Sequence, residues 1–393
     1  MDIKENKLFL LWTPSYHPRY GGLENSAREY ALFIKKKGWK VKVITNRHPY
    51  ILPKNEVIDG IEVNRYLFLH NPLGYIKSKR FDLFFAWIFI KPLTLFRLIV
   101  FFIKNKPKVV NIHFPDNQLI EIILINNFFN FKICTSLHGN EVERLKKTNK
   151  NSIKFKLYQK LFNNSEIITF CSDYLKIKLK KIFSFINEDR LMVVNNGVNE
   201  NFISSKISLK KKKYIFLASR FVPQKGLNIV FNIFSEKNMN GLQIAGGSKK
   251  EGEQISQNIS HNITFLGVLN KDQIINKLKF TMLTIIPSKK EAYGIIVAEA
   301  LCIGSPIVTT NVGGIPEIVK SVRNKLNKQQ QNIFDKWVKL VEPNELSIKN
   351  GINSIISNKN SIKEYITLVE SFRSQFLWEN KLKSLFNRLE KFD

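Results

Sequence analysis

Two short stretches of the chain set charged side chains where an anionic, hydroxyl-rich ligand could be handled. In the first, Arg220 and Lys225 (SRFVPQKG) follow a strand-like run, YIFLAS. Arginine offers a planar fork to two phosphate oxygens, and lysine offers a compact charge. In the second, Pro287–Glu299 (PSKKEAYGIIVAE), a strand-like run ends at Pro287-Ser288 and an apolar helix opens at Gly294. Glu291 lies in the connecting loop and Glu299 inside the helix. Free backbone N–H groups at such a helix start attract an anion or sugar oxygens. A carboxylate beside them can accept hydrogen bonds from two adjacent hydroxyls. Taken singly, each of these charges also reads as a solvated surface group, and Glu291 as a charge favouring a helix N-terminus.

Several other chemistries lose ground. The dinucleotide fingerprint GxGxxG is absent, as are the Walker A phosphate loop and the GxSxG nucleophile elbow. Cys134, Cys171 and Cys302 lie far apart in apolar segments with no CxxC spacing. They read as small buried hydrophobes in a reducing compartment. No Asp-x-Asp pair exists to hold a divalent metal, and Glu141-Val-Glu143 is the nearest approach. His113 and His138 each stand at the end of a strand-like run, and His113 reads as structural.

The elements that must position these residues alternate. Strand-like runs at Lys7–Trp12, Lys40–Thr45, Val109–Phe114, Lys132–His138, Glu166–Ser172 and Arg190–Asn196 are separated by helix-length segments. The pattern breaks into polar residues over Asn201–Lys213 and then restarts. Runs at Tyr214–Ser219, Leu242–Gly246, Ile263–Gly267, Met282–Pro287 and Pro306–Thr310 follow, with a helical tail from about Asn344. Strands alternating with helices imply parallel βαβ units, here two Rossmann-like units in tandem. Ligands of such sheets sit at the carboxyl ends of the strands, where Arg220, Lys225 and Glu291 lie.

The 393 residues are 44% hydrophobic and 24% charged, the balance of a packed globular protein rather than a disordered chain. The net charge of +30 is shared by both halves. Such a surface prefers polyanions, whether nucleic acid, anionic lipid headgroups or phosphorylated substrates. The aromatic residues lie mostly in apolar runs, which does not match an RNA-binding face. The apolar run Leu8–Trp12 is too short for a signal-peptide core, so a cytoplasmic protein is expected.

One segment, Phe81–Ile103, is long enough to span a bilayer but contains Asp82, Lys91, Pro92 and Arg97. A central Lys or Arg costs about 2.5–3.5 kcal/mol to insert. The expected forms are a buried or partly buried helix pair bent at Pro92, or a surface dipping into a membrane interface. In the second form Lys77, Lys79, Arg80, Lys104 and Lys106 would meet headgroups.

Several segments carry a resemblance. Glu291-Ala-Tyr-Gly-Ile-Ile-Val-Ala-Glu299 resembles the E-x7-E motif of family 4 glycosyltransferases, which have the GT-B fold. LCIGSPIVTTNVGGIPEIV (Leu301–Val319) resembles its continuation, and ASRFVPQKG the family's Arg-x4-Lys segment. NITFLGVL (Asn262–Leu269) and VVNNGVNENF (Val193–Phe202) resemble further family segments. So do the Gly21-Gly22-Leu-Glu24 turn, Lys37-Gly38-Trp-Lys-Val, Leu137-His-Gly139 and Phe376-Leu-Trp378. The segments stand in family order along nearly the whole chain. Two departures are Asn199, where Asp is usual, and a polar, Gln-rich stretch at Ser321–Lys339 before a strand expected at Leu340.

The resemblance implies two Rossmann-like doubly wound α/β domains facing across a cleft. An acceptor-side domain would span 1–206 and a nucleotide-sugar domain 207–375, with a C-terminal helix over 376–393 packing back on the first. Arg220 and Lys225 would hold the donor diphosphate. Glu291, with the N–H groups of Ala292, Tyr293, Gly294 and Ile295, would hold the donor sugar, and Glu299 the ribose hydroxyls. Gly21 and Gly22 would let the backbone approach phosphate and acceptor, and His138 would lie beside the sugar. The implied activity is retaining, metal-independent hexosyl transfer to a glycan or lipid-linked acceptor in surface-glycan assembly. No cofactor is expected, UDP-sugars are favoured over GDP-sugars, and peripheral contact with an anionic membrane is compatible. The competing readings are a GT-B nucleotide-sugar hydrolase or epimerase, and a nucleic-acid-binding protein.

Overall fold

The computed structural model describes residues 7–19, 21–69, 72–235, 241–256 and 259–392. The chain divides into two compact units: Met1–Asn195 together with Leu382–Asp393, and Asn196–Lys381.

The first unit is built on an eight-stranded sheet. Its strands are β1 (Leu8–Trp12), β2 (Lys40–Asn46), β3 (Asn55–Ile58), β4 (Ile61–Tyr66), β5 (Val109–His113), β6 (Lys132–Leu137), β7 (Ser165–Phe170) and β8 (Leu191–Val193). They lie in the order β3-β4-β2-β1-β5-β6-β7-β8. Every pairing is parallel except the β3–β4 edge hairpin. Central strands β1 and β5 are buried throughout, which is why LFLLW and VVNIH read as runs rather than alternations. The hairpin β3–β4 has no counterpart among the runs read from the sequence. Its strand NEVI is exposed or half-buried throughout and too polar to stand out.

The second unit is a six-stranded, wholly parallel sheet: β9 (Ile215–Ala218), β10 (Leu242–Ala245), β11 (Ile263–Phe265), β12 (Leu283–Ile286), β13 (Ile307–Thr310) and β14 (Val338–Val341). The order β11-β10-β9-β12-β13-β14 is the 3-2-1-4-5-6 arrangement of a dinucleotide-binding fold.

Four expectations need correction. The first unit gives way to the second at Asn195/Asn196, ahead of residue 206. Which core the apolar side chains join decides this: Val198 donates its N–H to the Phe376 carbonyl at 2.7 Å, and Phe202 is buried. The closing segment likewise passes to the first unit at Leu382 rather than residue 376, with Phe386 edge-on to Phe33. The Gln-rich stretch holds the helices Ile315–Arg323 and Lys328–Trp337, and the strand after it begins at Val338. Asn327 and Gln330 form a capping box, so glutamine here marks a helix start. Finally, Phe81–Asn105 is one helix running through Pro92, not a bent pair.

Candidate active site

In the second unit the strand order reverses beside β9, whose neighbours are β10 and β12. The loops leaving β9 and β12 therefore turn to opposite sides and open a crevice at the carboxyl edge of the sheet. These loops carry Arg220 and Lys225 on one side and Glu291 on the other. Lys225 Nζ donates to Glu291 Oε2 in an ion pair that joins residues 66 apart in sequence. Arg220 is exposed, and its guanidinium makes no hydrogen bond or ion pair with the described residues.

The backbone holds the two loops together. The N–H groups of Lys289 and Lys290 donate to the Gln224 carbonyl at 2.7 and 3.2 Å. Gly226 is left-handed (φ 69°), and a Cβ there would collide with the Pro287 carbonyl oxygen. Gly313 (φ 60°) stands against the Glu291 carbonyl in the same way, and the N–H of Gly314 donates to that carbonyl at 3.3 Å. Glycine is required at both positions by sign of φ and by the close backbone approach.

Behind Glu291 the helix Ile295–Cys302 starts at Gly294 (φ 102°) with no side-chain cap. The N–H groups of Ile295 and Ile296 are open to an acceptor, whereas that of Val297 donates to the Gly294 carbonyl at 2.9 Å. The Ala292 N–H donates to Glu291 Oε1 at 3.2 Å, and Tyr293 is buried. Glu299 sits further along this helix. Burial pushes its carboxyl up to about 7, opposed by the charge of Lys271. The crevice thus presents two cations, one carboxylate and an uncapped helix start within one unit. That set can neutralise a diphosphate and orient hydroxyls.

Gly21, Gly22 and His138 belong to the first unit. Gly21 caps the helix Gly22–Lys36 with an extended backbone (φ 179°) that any residue adopts, and no side chain caps that helix. The predicted need for glycine at 21 is therefore not conformational. His138 follows β6, its ring 4.2 Å from that of His113, which is fully buried and edge-on to Tyr30. Burial lowers His138 to about 4, and Nε2 finds no hydrogen-bond partner. The ring is neutral at pH 7.

One residue that the sequence offers only as a poor metal ligand takes a different place in the fold. Glu141 is 1% exposed, with Oε1 accepting the His138 N–H and Oε2 unpartnered. Burial pushes its carboxyl up to about 7 against the neighbouring backbone N–H groups. Its place three residues beyond His138, at the start of the helix Asn140–Lys146, was the available signal. Glu143 pairs with Lys178 on the surface, so the two carboxylates diverge and form no metal pair. Among the described residues no group of three His, Cys, Asp or Glu side chains could hold a metal. The three cysteines are free and buried.

Two family models match the chain: Glycosyltransferase Family 4 over residues 20–202 and Glycosyl transferases group 1 over residues 199–372. An uncharacterized glycosyltransferase of Methanocaldococcus jannaschii is 26% identical over 95% of this chain and 96% of its own length. Among solved structures, sucrose-phosphate synthase from Thermosynechococcus elongatus superposes with a TM-score of 0.73 at 16% identity, covering 98% of this chain and all of that one. Anabaena HepE in complex with UDP and glucose gives 0.69 at 13% identity, covering 97% and 99%.

Proposed function

The chain belongs to glycosyltransferase family 4 and is a glycosyltransferase of GT-B fold; from that premise we propose that it transfers a hexosyl unit, with retention and without a metal ion, from a nucleoside-diphosphate sugar to a glycan or lipid-linked glycan. The observation that carries this reading is the crevice beside β9, where Lys225 and Arg220 stand on one loop and Glu291 on the facing one.

Breaking the bond between the anomeric carbon and the phosphate oxygen leaves negative charge on the diphosphate. Arg220, the open start of the helix Ile295–Cys302 and Lys225, once released from Glu291, would stabilise that charge. Glu291, with the N–H groups of Ala292–Ile295, receives the sugar hydroxyls, and Glu299 receives those of the ribose. Retention follows when the acceptor hydroxyl attacks on the face the diphosphate leaves. The acceptor oxygen bonds to the anomeric carbon, and its proton passes to the departing phosphate oxygen. His138, neutral at pH 7, acts at the transferred sugar as a hydrogen-bonding group rather than as a cation. Gly21 and Gly22 leave the start of their helix clear for the acceptor side. The UDP and glucose held by the Anabaena protein favour a UDP-sugar. The setting is cytoplasmic surface-glycan assembly.

A thermal-shift panel with UDP, GDP, ADP, NAD and a short RNA tests the donor class on wild type and Lys225→Ala. Ligand at about 100 times its dissociation constant adds about 2.7 kcal/mol of stability. One nucleoside diphosphate should raise the melting temperature of the wild type and raise that of Lys225→Ala clearly less. Turnover of the matching sugar should survive EDTA and give a product of retained configuration. An equal shift of both proteins by RNA alone would remove the transferase reading's support. Free sugar or an epimer as the sole product would make the enzyme a hydrolase or epimerase.

A further inference from the structure

The helix Phe81–Asn105 carries two cations in its middle that should keep it out of lipid, and the fold withdraws both. Lys91 turns inward to Glu121, with Nζ 2.5 Å from Oε1 and the carboxylate 1% exposed. Arg97 lies over the ring of Tyr66, 5.0 Å from its centroid. The remaining outward face is a stripe of Phe85 (59% exposed), Phe89 (74%), Leu93 (58%), Phe96 (62%), Val100 and Ile103. Steps of three and four residues keep these on one side of a helix. Between Phe85 and Ile103 no charged side chain interrupts them on that side; one turn before Phe85 stands the exposed Asp82, its charge offset by its partner Arg80. A continuous row of six exposed apolar side chains, three of them phenylalanines, differs from the singly scattered apolar residues of an ordinary soluble surface.

The opposite face is already occupied. Thr94, Leu98, Phe101 and Phe102 are buried, and the Phe102 ring meets those of Trp12, Phe129 and Phe131. At about 37 Å the helix has the length to cross a bilayer, yet lipid cannot surround a helix whose inner face is part of a protein core. Only an in-plane position leaves both faces satisfied. Beyond the stripe, Lys104 and Lys106 are exposed at one end and Lys79 at the other. The side chain of Lys77 lies outside the described residues. Exposed cations at the ends of an apolar stripe suit anionic headgroups, as does the chain's net charge of +30.

We propose that the outward face of the helix Phe81–Asn105 docks in the plane of an anionic membrane, its phenylalanines among the acyl chains and Lys79, Lys104 and Lys106 at the headgroups. This inference does not depend on the transferase reading, since it concerns binding alone.

The test uses the full chain with vesicles of phosphatidylcholine containing phosphatidylglycerol. Wild type should co-sediment with them, and Phe89→Ser/Phe96→Ser should lose at least about tenfold in partitioning. Both residues are exposed, and an unchanged melting temperature would show the variant folded. Lys104→Glu/Lys106→Glu should weaken binding by about fivefold or more per lysine. A tryptophan placed in the stripe, Phe89→Trp, gives an independent readout: brominated lipid should quench it, while Trp12, Trp39, Trp337 and Trp378 are buried. Binding that the serine variant retains, or equal binding to phosphatidylcholine alone, overturns the proposal. So does a dimer in vesicle-free solution that the serine variant splits, since a second copy would then cover the stripe.

Discussion

The ion pair of Lys225 and Glu291 must open before Lys225 can serve a diphosphate, and that fixes the sign of one unusual result. Their side chains are 20% and 15% exposed. The pair therefore lies between surface pairs, at about 0.2–1 kcal/mol, and fully buried ones, whose breaking costs about 3–5 kcal/mol. About 1–2 kcal/mol is reasonable for this geometry. In Glu291→Gln that attraction is gone and Lys225 is released. A bare nucleoside diphosphate should then bind about 5- to 30-fold more tightly than to wild type, with relief from carboxylate–phosphate repulsion acting in the same direction. Lys225→Met loses charge-assisted hydrogen bonds at about 1.5–3 kcal/mol but is spared the opening of the pair, so it should bind at most about 30-fold more weakly than wild type and about 10- to 150-fold more weakly than Glu291→Gln. The double variant should lack the lysine-dependent gain and differ from Lys225→Met only by the relieved carboxylate–phosphate repulsion. Isothermal titration calorimetry with UDP, or whichever nucleoside diphosphate binds, reads all four corners of this cycle. Turnover of the nucleotide sugar by Glu291→Gln should fall even as its diphosphate affinity rises, since the sugar loses its carboxylate. Diphosphate binding to Glu291→Gln that is unchanged or weaker would refute the argument that the two ligands compete for Lys225.

Two further expectations concern the loops. Glu141, held near 7 in the folded chain against an ordinary 4.5, contributes stability that is full below about pH 4.5 and is lost as pH rises through 7, by up to about 3 kcal/mol. His138, lowered from 6.5 to about 4, works in the other direction, its contribution present above pH 6.5 and lost as the solution is acidified towards 4. Denaturant midpoints measured from pH 4.5 to 8 should therefore favour Glu141→Gln over wild type increasingly at the alkaline end, while His138→Gln should flatten the acid limb. Gly313→Ala should destabilise the fold by roughly 2 kcal/mol or more and weaken nucleotide binding along with it, because a Cβ there displaces the Glu291 backbone. Calorimetric melting and the same titrations check this, and a variant that melts like wild type would contradict the close approach.

What the sequence determined by itself is local. Parallel strands covered on both faces declare themselves as apolar runs, so β1, β5, β9 and β12 could be read directly, together with the loops that follow them. The residue types in those loops, an arginine and lysine after β9 and a glutamate after β12, carry the expectation of a phosphate and hydroxyl chemistry. Strands without such runs escaped, as β3 shows, and polar residues that cap a helix, as Asn327 and Gln330 do, passed for loop. The tertiary structure decided everything that depends on partners far away along the chain. Lys225 and Glu291 meet only because β9 and β12 are neighbours in the sheet. Glu141 looked like a poor metal ligand in sequence and is a buried carboxyl bound to the His138 backbone. Lys91 and Arg97 argued against lipid until Glu121 and Tyr66 were seen to draw them inward. A side chain's type is written in the chain, whereas its charge state, its exposure and the direction it faces are set by neighbours that only folding supplies.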